Sequence, residues 1–421
     1  MAQAAIAHPR IATAGNGPSD QTVQQYLRTG LRNRWWPILP SRFIESGGKP
    51  LGITRLGEPL LLWRDSSGVI HVQTDRCPHR AVPLSRGINE GDRIRCNYHG
   101  VEVGPDGTVL KVPGQPGCPL EGKKAVKTYP AREIADAIFV WFGDALHEEP
   151  ATFEPPPQLV HADYSRILCY ADWETHWRFL YDNNMDPMHG TFLHANSHTM
   201  YTGDTKAHFV TRDTPTGFFF EKADQRDVNF DWSELVDDHA LYVRLEIPYP
   251  PSAGPGGNFA IISFGTPIDD KHTAAFFWRV RKVDGWQRDT WRFLYRTKIE
   301  ERHWAVLEQD REILEGCQPG IEKHEMLYQH DAGVIRLRRY LAQEASRQLA
   351  ALDAAGKAPR AALRSRSSTH QMCRSLHPGC SQTASWSETP FMCRVSMPGP
   401  RKAWSAVHRY WSRAARPSAA S

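Results

Sequence analysis

The sequence predicts an α+β chain in two parts: a small all-β domain of roughly 110 residues, then a larger domain built on an antiparallel sheet. Three observations predict it. Short apolar stretches separated by turn residues crowd the region from 33 to 150. A rigid proline-rich stretch, "FEPPPQL" (153–159), interrupts them. Beyond it, strand-like and helix-like periods alternate as far as about residue 355.

In chain order, residues 1–32 are small and polar and are expected to form a loose N-terminal arm. "PLGITRLG", "PLLLWRD" and "VIHVQTD" read as strands, with Asp65-Ser66-Ser67-Gly68 as a turn between the last two. Pro105-Asp106-Gly107 marks another turn, and "DAIFVWFGD" (136–144) a further buried strand. In the second part "WETHWRFLYDNNMDPMHGTFLH" leans helical, whereas "HALYVRLEIPY", "NFAIISFGTPI" and "AAFFWRVRKV" are strands. "ERHWAVLEQDREILEGC" and "VIRLRRYLAQEASRQLAALDAA" are helices. From 358 to 421 periodicity disappears. The last 61 residues hold twelve serines, three cysteines and three tryptophans, and are expected to be disordered or the product of an out-of-frame reading.

Composition narrows the function classes. At 40% hydrophobic and 23% charged the chain reads as soluble, globular and long enough for two or three cores. No apolar run approaches the ~18 residues of a membrane span, and no secretory signal opens the chain, so a cytoplasmic protein is expected. The net charge of +4 conceals an asymmetry. Residues 361–421 hold nine Lys/Arg and one acid, leaving 42 basic and 46 acidic groups elsewhere. That mildly acidic body argues against nucleic acid. Eight cysteines in a chain this long do not suggest a disulfide scaffold; closely spaced ones suggest metal.

Two pairs stand out. Cys77-Pro78-His79 is followed sixteen residues later by Cys96-Asn97-Tyr98-His99. Two Cys and two His suit a tetrahedral zinc site. They equally suit a two-iron cluster in which two His replace two Cys on one iron. The pairing of one ligand of each kind per loop, and the Pro/Gly-rich "PDGTVLKVPG" able to cover the site, favour the cluster.

A second constellation lies in "YDNNMDPMHGTFLH". Asp186 and His189, three apart, would share a helical face, letting the carboxylate hold the ring nitrogen turned away from a metal. His189 and His194 are five apart, about 140° on an ideal helix. Gly190 offers a break that would re-aim the second, and His198 is a rival ligand. In the later helix Leu307, Asp310 and Leu314 form one stripe, so Asp310 is the acid that turns inward. It either pairs with an arginine or completes a set of two His and one carboxylate, the facial triad of non-haem Fe(II) oxygenases.

"CPHR…CNYHG" resembles the Rieske iron–sulfur signature, and with the second motif the chain resembles Rieske non-haem iron oxygenases over roughly 33–355. The resemblance implies that Cys77 and Cys96 bind one iron of a [2Fe-2S] cluster and His79 and His99 the other. Ala81 stands where the family often has Gly, and Val101 where it often has an aromatic. The family pattern puts Asn183, Asp186, His189 and His194 in register. It favours His194 over His198 and takes Asp310 as third ligand of a mononuclear Fe(II), with Asp186 and Asn183 as catalytic residues. It implies an iron–sulfur domain over 33–150 and a helix-grip-like catalytic domain over 151–357. It also implies a head-to-tail trimer in which Asp186 bridges His99 of one chain to His189 of the next.

On that basis the expected activity is a terminal oxygenase. It would use O2 to hydroxylate, dihydroxylate or demethylate an apolar, aromatic substrate. Electrons would come from NAD(P)H through a reductase or ferredoxin, since no G-x-G-x-x-G opens a βαβ unit in this chain. The strands around 258–280 are read mainly as core, with some residues able to line a pocket. The competing readings are an electron carrier with a vestigial second site and a zinc-stabilised binding module.

Overall fold

The computed structural model describes residues 18–196, 205–249, 254–255 and 257–357. The segment 358–421, residues 1–17 and the rival ligand His198 lie outside the described residues. Seven α-helices are described: α1 (Asp20–Leu27), α2 (Pro157–Val160), α3 (Trp177–Asn184), α4 (His189–Leu193), α5 (Gly285–Leu294), α6 (Glu300–Leu314) and α7 (Ala332–Ala354). A π-helical turn, Tyr295–Ile299, joins α5 to α6.

Within the expected N-terminal arm, residues 18–32 are not loose. Ser19 caps α1 by accepting the Thr22 N–H at 3.2 Å, and the helix buries Val23 and Leu27. Tyr26 donates to Gln348 of α7 at 2.8 Å. An N-cap serine followed by apolar residues four apart is a helix signal, which the small, polar composition around it obscured.

The region 33–150 holds three small antiparallel sheets. Arg34–Pro40 pairs with Ala137–Phe142, and both strands are wholly buried. The second sheet carries Leu51–Arg55, Glu58–Arg64, Ile70–Thr74 and Thr128–Tyr129, the third Ile88–Asn89, Ile94–Arg95, Glu102–Val103 and Val109–Lys111. Both anticipated turns form. Asp65 accepts the N–H groups of Ser67 and Val69, each at 2.9 Å. At the other, Asp106 accepts that of Thr108 at 3.0 Å. Gly107 there has φ +81°, and a Cβ would lie 1.9 Å from the Val126 carbonyl oxygen, so only glycine fits.

The larger sheet has seven antiparallel strands in the order Tyr164–Trp173, Thr273–Lys282, Phe259–Pro267, Leu241–Ile247, Trp232–Asp237, Gly217–Lys222, Phe209–Thr214. The two-residue period of a strand sorts its side chains cleanly. Phe259, Ile261, Ala275 and Phe277 face one apolar cluster together with Leu180, Tyr249, Trp291, Tyr295 and Leu307. Ala260, Ile262, Phe264, Phe276 and Trp278 face another, against Trp35, Phe139 and Trp141 of the N-terminal half. The strands expected to be mainly core are therefore core on one face and cleft wall on the other. Helix α3 lies directly on the sheet: a Cβ at Gly265 would meet Leu180 at 2.9 Å and Tyr181 at 3.0 Å.

Each half keeps a core of its own, around Leu61 and Trp63 in one and around Phe259 and Trp291 in the other, but further clusters join the two. One cluster runs from Trp36, Leu60 and Val72 through Trp177 and Phe218 to Leu337 and Leu341. No helix among the described residues is long and apolar enough to cross a membrane.

Candidate metal centres

The first centre grows from two loops with the same backbone plan. In one, Cys77 N–H bonds the Val82 carbonyl and Ala81 N–H bonds the Cys77 carbonyl, both at 2.8 Å. In the other, Cys96 N–H bonds Val101 at 2.8 Å and Gly100 N–H bonds Cys96 at 2.9 Å. The fifth residue of each loop has a left-handed backbone, Ala81 at φ +55° and Gly100 at φ +72°. Cys77 and Cys96 sit in an apolar cluster with Leu61, Trp63 and Val103. Val101 is buried in the same cluster. His79 and His99 are exposed, their rings 4.7 Å apart at 75°. Burial pushes the Cys77 thiol up, and the adjacent Cys96 sulfur adds to this. A metal replacing their protons would hold two facing buried sulfurs as thiolates, so the donor set fits a cation site with sulfur inside and imidazole outside. Pro113, from the loop expected to cover the site, packs 3.2 Å from where a Gly100 Cβ would be.

The second centre is formed by α4 and α6. His189, His194 and Asp310 offer ligand atoms that all lie within 4.8 Å of one another. Asp310 Oδ1 stands 3.5 Å from His189 Nε2 and 3.1 Å from His194 Nε2. That oxygen is buried and makes no hydrogen bond. Each imidazole spends its other nitrogen elsewhere: His189 Nδ1 donates to the Asp186 carbonyl, His194 Nδ1 to Gln309 Oε1 at 2.9 Å. Both Nε2 atoms are thereby turned inward as acceptors, facing a carboxylate oxygen. Three inward acceptors without a donor fit a bound cation. Burial disfavours the protonated form of His194, but the Asp310 carboxylate outweighs it and raises the pKa. The arginine pairing weighed for Asp310 does not occur among the described residues.

Two expectations about this motif change. His194 is not re-aimed by a break at Gly190, which lies inside α4. The helix is five residues long, begins at His189 and ends before His194, whose φ −102° and ψ 25° leave the helical region. The 140° separation does not arise because α4 ends at Leu193 and His194 itself has left the helical region. Asp186 lies in the turn between α3 and α4, and it is its backbone carbonyl that holds His189. The carboxylate is 3.9 Å from that ring, accepts the Met188 N–H at 2.9 Å, and is 31% exposed. Asn183 lines the cleft beside His189.

The cleft, with about 670 Å³ of space between atoms that is partly open to solvent, runs from the triad along Phe230, Leu245, Ile247, Phe259 and Phe277. Its polar wall was not foreseen. His303, seven residues before Asp310 on the buried stripe of α6, accepts or donates to the Tyr249 hydroxyl at 2.9 Å. Arg279 and Arg302 also line it. The heptad spacing to Asp310 could have found His303, and strand alternation with Phe277 could have found Arg279. Nothing local singled out Gln309, whose role depends on the fold.

Comparison with known proteins gives this geometry a family. Residues 34–130 match the Rieske [2Fe-2S] domain and residues 173–347 the Vanillate O-demethylase oxygenase C-terminal domain. The chain belongs to the Rieske oxygenases. It is 27% identical to the oxygenase subunit of 3-chlorobenzoate-3,4-dioxygenase from Comamonas testosteroni, over 59% of each chain. It is 34% identical to the oxygenase component of dicamba O-demethylase from Stenotrophomonas maltophilia, over 41% of this chain and 50% of that one. The matched stretch thus spans well under two thirds of either relative. In fold it is similar to dicamba monooxygenase bound to dicamba, with TM-score 0.61 and 22% identity over 76% of this chain and 98% of that one. It is also similar to the terminal oxygenase of carbazole 1,9a-dioxygenase from Novosphingobium sp. KA1, with TM-score 0.60 and 20% identity over 77% and 94%. Rieske oxygenases carry a [2Fe-2S] cluster and a mononuclear iron.

Proposed function

We propose that the chain is the terminal oxygenase component of a multi-component system that hydroxylates, dihydroxylates or demethylates an apolar, aromatic substrate with O2. The observation that carries this reading is the triad His189, His194 and Asp310 at one end of an apolar cleft, in a chain that also carries the paired Cys/His loops. In this reading residues 33–150 form the electron-carrying domain and 151–357 the catalytic one. Cys77, His79, Cys96 and His99 hold the cluster; His189, His194 and Asp310 hold the iron. Bound iron supplies the binding and reduction of O2, which reacts poorly with closed-shell organic molecules by itself.

The chain's own residues orient and exclude. The Asp186 carbonyl and Gln309 fix which nitrogen of each histidine faces inward. Phe230, Ile261 and Phe277 keep water from the cleft, and Asn183 borders it next to His189. The Asp186 carboxylate accepts the Met188 N–H with one oxygen and is exposed enough to accept a further hydrogen bond from a ring on a neighbouring chain. In this reading the chain works as a head-to-tail trimer in the cytoplasm, in which electrons pass from the cluster of one subunit to the iron of the next, a ferredoxin or reductase supplying them.

Metal analysis is the test. The oxygenase reading requires three Fe for every two acid-labile sulfides, and Asp310→Ala should lose the iron that exceeds the cluster, and all turnover, while keeping the cluster's visible spectrum. A colourless protein holding one zinc per chain would sink the reading. Full oxygenation by Asp310→Ala would instead remove Asp310 from the iron site.

A further inference from the structure

Among the described residues, the cleft wall holds one buried cation, Arg279, that no carboxylate pairs with. Arg279 pairs with Ile261 across the sheet and follows Phe277 by two residues, so strand alternation turns it onto the apolar cleft face. It is 2% exposed. One Nη reaches the His303 carbonyl at 3.4 Å, and Nε is buried without a hydrogen bond. No carboxylate pairs with Arg279 among the described residues. Its guanidinium is 6.0 Å from the Phe259 ring and 5.9 Å from the Phe277 ring, the outer edge of useful cation–π attraction. Asp310 is the only acid lining the cleft among the described residues, and the proposed function assigns it to the iron. The exposed Arg302 lines the same space.

A buried charge is retained at a cost unless something pairs with it. A packing role alone would be served better by an aliphatic side chain. The planar fork of an arginine matches a carboxylate or sulfonate through two parallel hydrogen bonds. We propose that Arg279 is a specificity residue that binds an anionic oxygen group, carboxylate or sulfonate, carried on the ring of the substrate. This rests on the proposed function for the chemistry, but the binding itself does not. The anion end of the cleft is set by His303 and the metal end by Asp310, seven residues or about 10 Å apart along α6. The ring spans that distance with its charge held away from the triad, so the oxidised position lies on the far side of the ring from the anion.

The experiment uses the full chain carrying its metals and compares acids with neutral isosteres: 4-methoxybenzoate against 4-methoxybenzamide, and toluene-4-sulfonate against toluene-4-sulfonamide. Equilibrium binding should favour each acid by at least about tenfold. Arg279→Gln should bring the ratio close to one, and Arg279→Lys should keep part of it. Equal binding of the neutral partners, a preference that survives Arg279→Gln, or failure of every acid to bind overturns the proposal. A purely structural arginine would lower the melting temperature of Arg279→Gln and leave the ratio unchanged. With a reductase, oxygen uptake should be greater with 3- and 4-methoxybenzoate than with 2-methoxybenzoate; the opposite order overturns the placement. Metal content separates the two ideas. An acid preference in protein lacking mononuclear iron removes the oxygenase reading and keeps the anion site, whereas three Fe per two sulfides with no acid preference does the reverse.

Discussion

Ala81 is the residue at which sequence and backbone disagree most directly. Its loop repeats the hydrogen-bond plan of the loop at Cys96, and at the matching position that loop has Gly100. Both residues adopt a left-handed backbone, which glycine takes freely and alanine only at a cost of about 1 kcal/mol, because its Cβ crowds the carbonyl oxygen. The departure from the family's usual glycine was legible in the sequence; that it forces alanine into the left-handed region was not, since φ depends on the closed loop. Ala81→Gly should therefore stabilise the cluster loop by about 1 kcal/mol, less the extra freedom glycine gains in the unfolded chain. Gly100→Ala should destabilise by at least as much, since the new Cβ also presses on Pro113. Urea midpoints followed by the visible absorption of the cluster would check both. An unchanged midpoint in Ala81→Gly would mean that the loop is held in this conformation without strain.

At the scale of elements, the paired loops and the stripe on α6 were legible because each rests on local spacing. Asp310 was identified as inward-facing from Leu307 and Leu314 alone, and α6 buries those three residues together with His303. What the spacing could not reveal was where helices end. "YDNNMDPMHGTFLH" reads as one helical run, yet α3 stops at Asn184 and α4 starts at His189, with Asp186-Pro187 between them. Proline two residues before His189 is the physical reason: it disfavours helix in the residue before it and lacks the N–H that a continuing helix needs. Termination, not a break, delivers His194 to the triad. Helix α6 then acts twice, with Asp310 as ligand and Gln309 beside it as the acceptor for His194 Nδ1. Gln309→Leu removes that acceptor while leaving every ligand in place. Mononuclear iron should then be held roughly 10–100-fold more weakly with unchanged sulfide content. Iron retention during chelator titration measures this, and parent-like retention would show that the ring is fixed by packing alone.

Across the whole molecule, the same interior that positions the triad also joins it to the cluster-bearing half. Trp36 meets Trp177 edge-on at 6.2 Å, and Trp177 Nε1 donates to the Leu27 carbonyl at 2.7 Å. Arg34, on the first strand of the N-terminal half, pairs with Asp237 of the large sheet at 2.5 Å and with Glu344 of α7 at 3.1 Å. The expectation of a core in each half came from chain length and local pattern, and neither reports the contact between residues 34 and 344 that joins the halves. This junction has a pH signature. Burial works to raise the Glu344 pKa, but Arg347 and Arg34 dominate and hold it down to about 2, below the ordinary 4.5. A carboxylate whose folded pKa lies below its unfolded one binds fewer protons in the folded state. Its contribution is complete above about pH 4.5 and disappears as pH falls towards 2. Glu344→Gln should accordingly be less stable than the parent at neutral pH, with the difference shrinking as pH drops below 4.5. Because Arg34 belongs to one half and Asp237 and Glu344 to the other, the variant should weaken both halves together. Urea unfolding followed in parallel by cluster absorption and by tryptophan fluorescence tests this. A gap that stays constant with pH would remove Glu344 as the titrating group. Loss of the cluster signal ahead of the fluorescence change would show that the halves unfold separately despite their shared core.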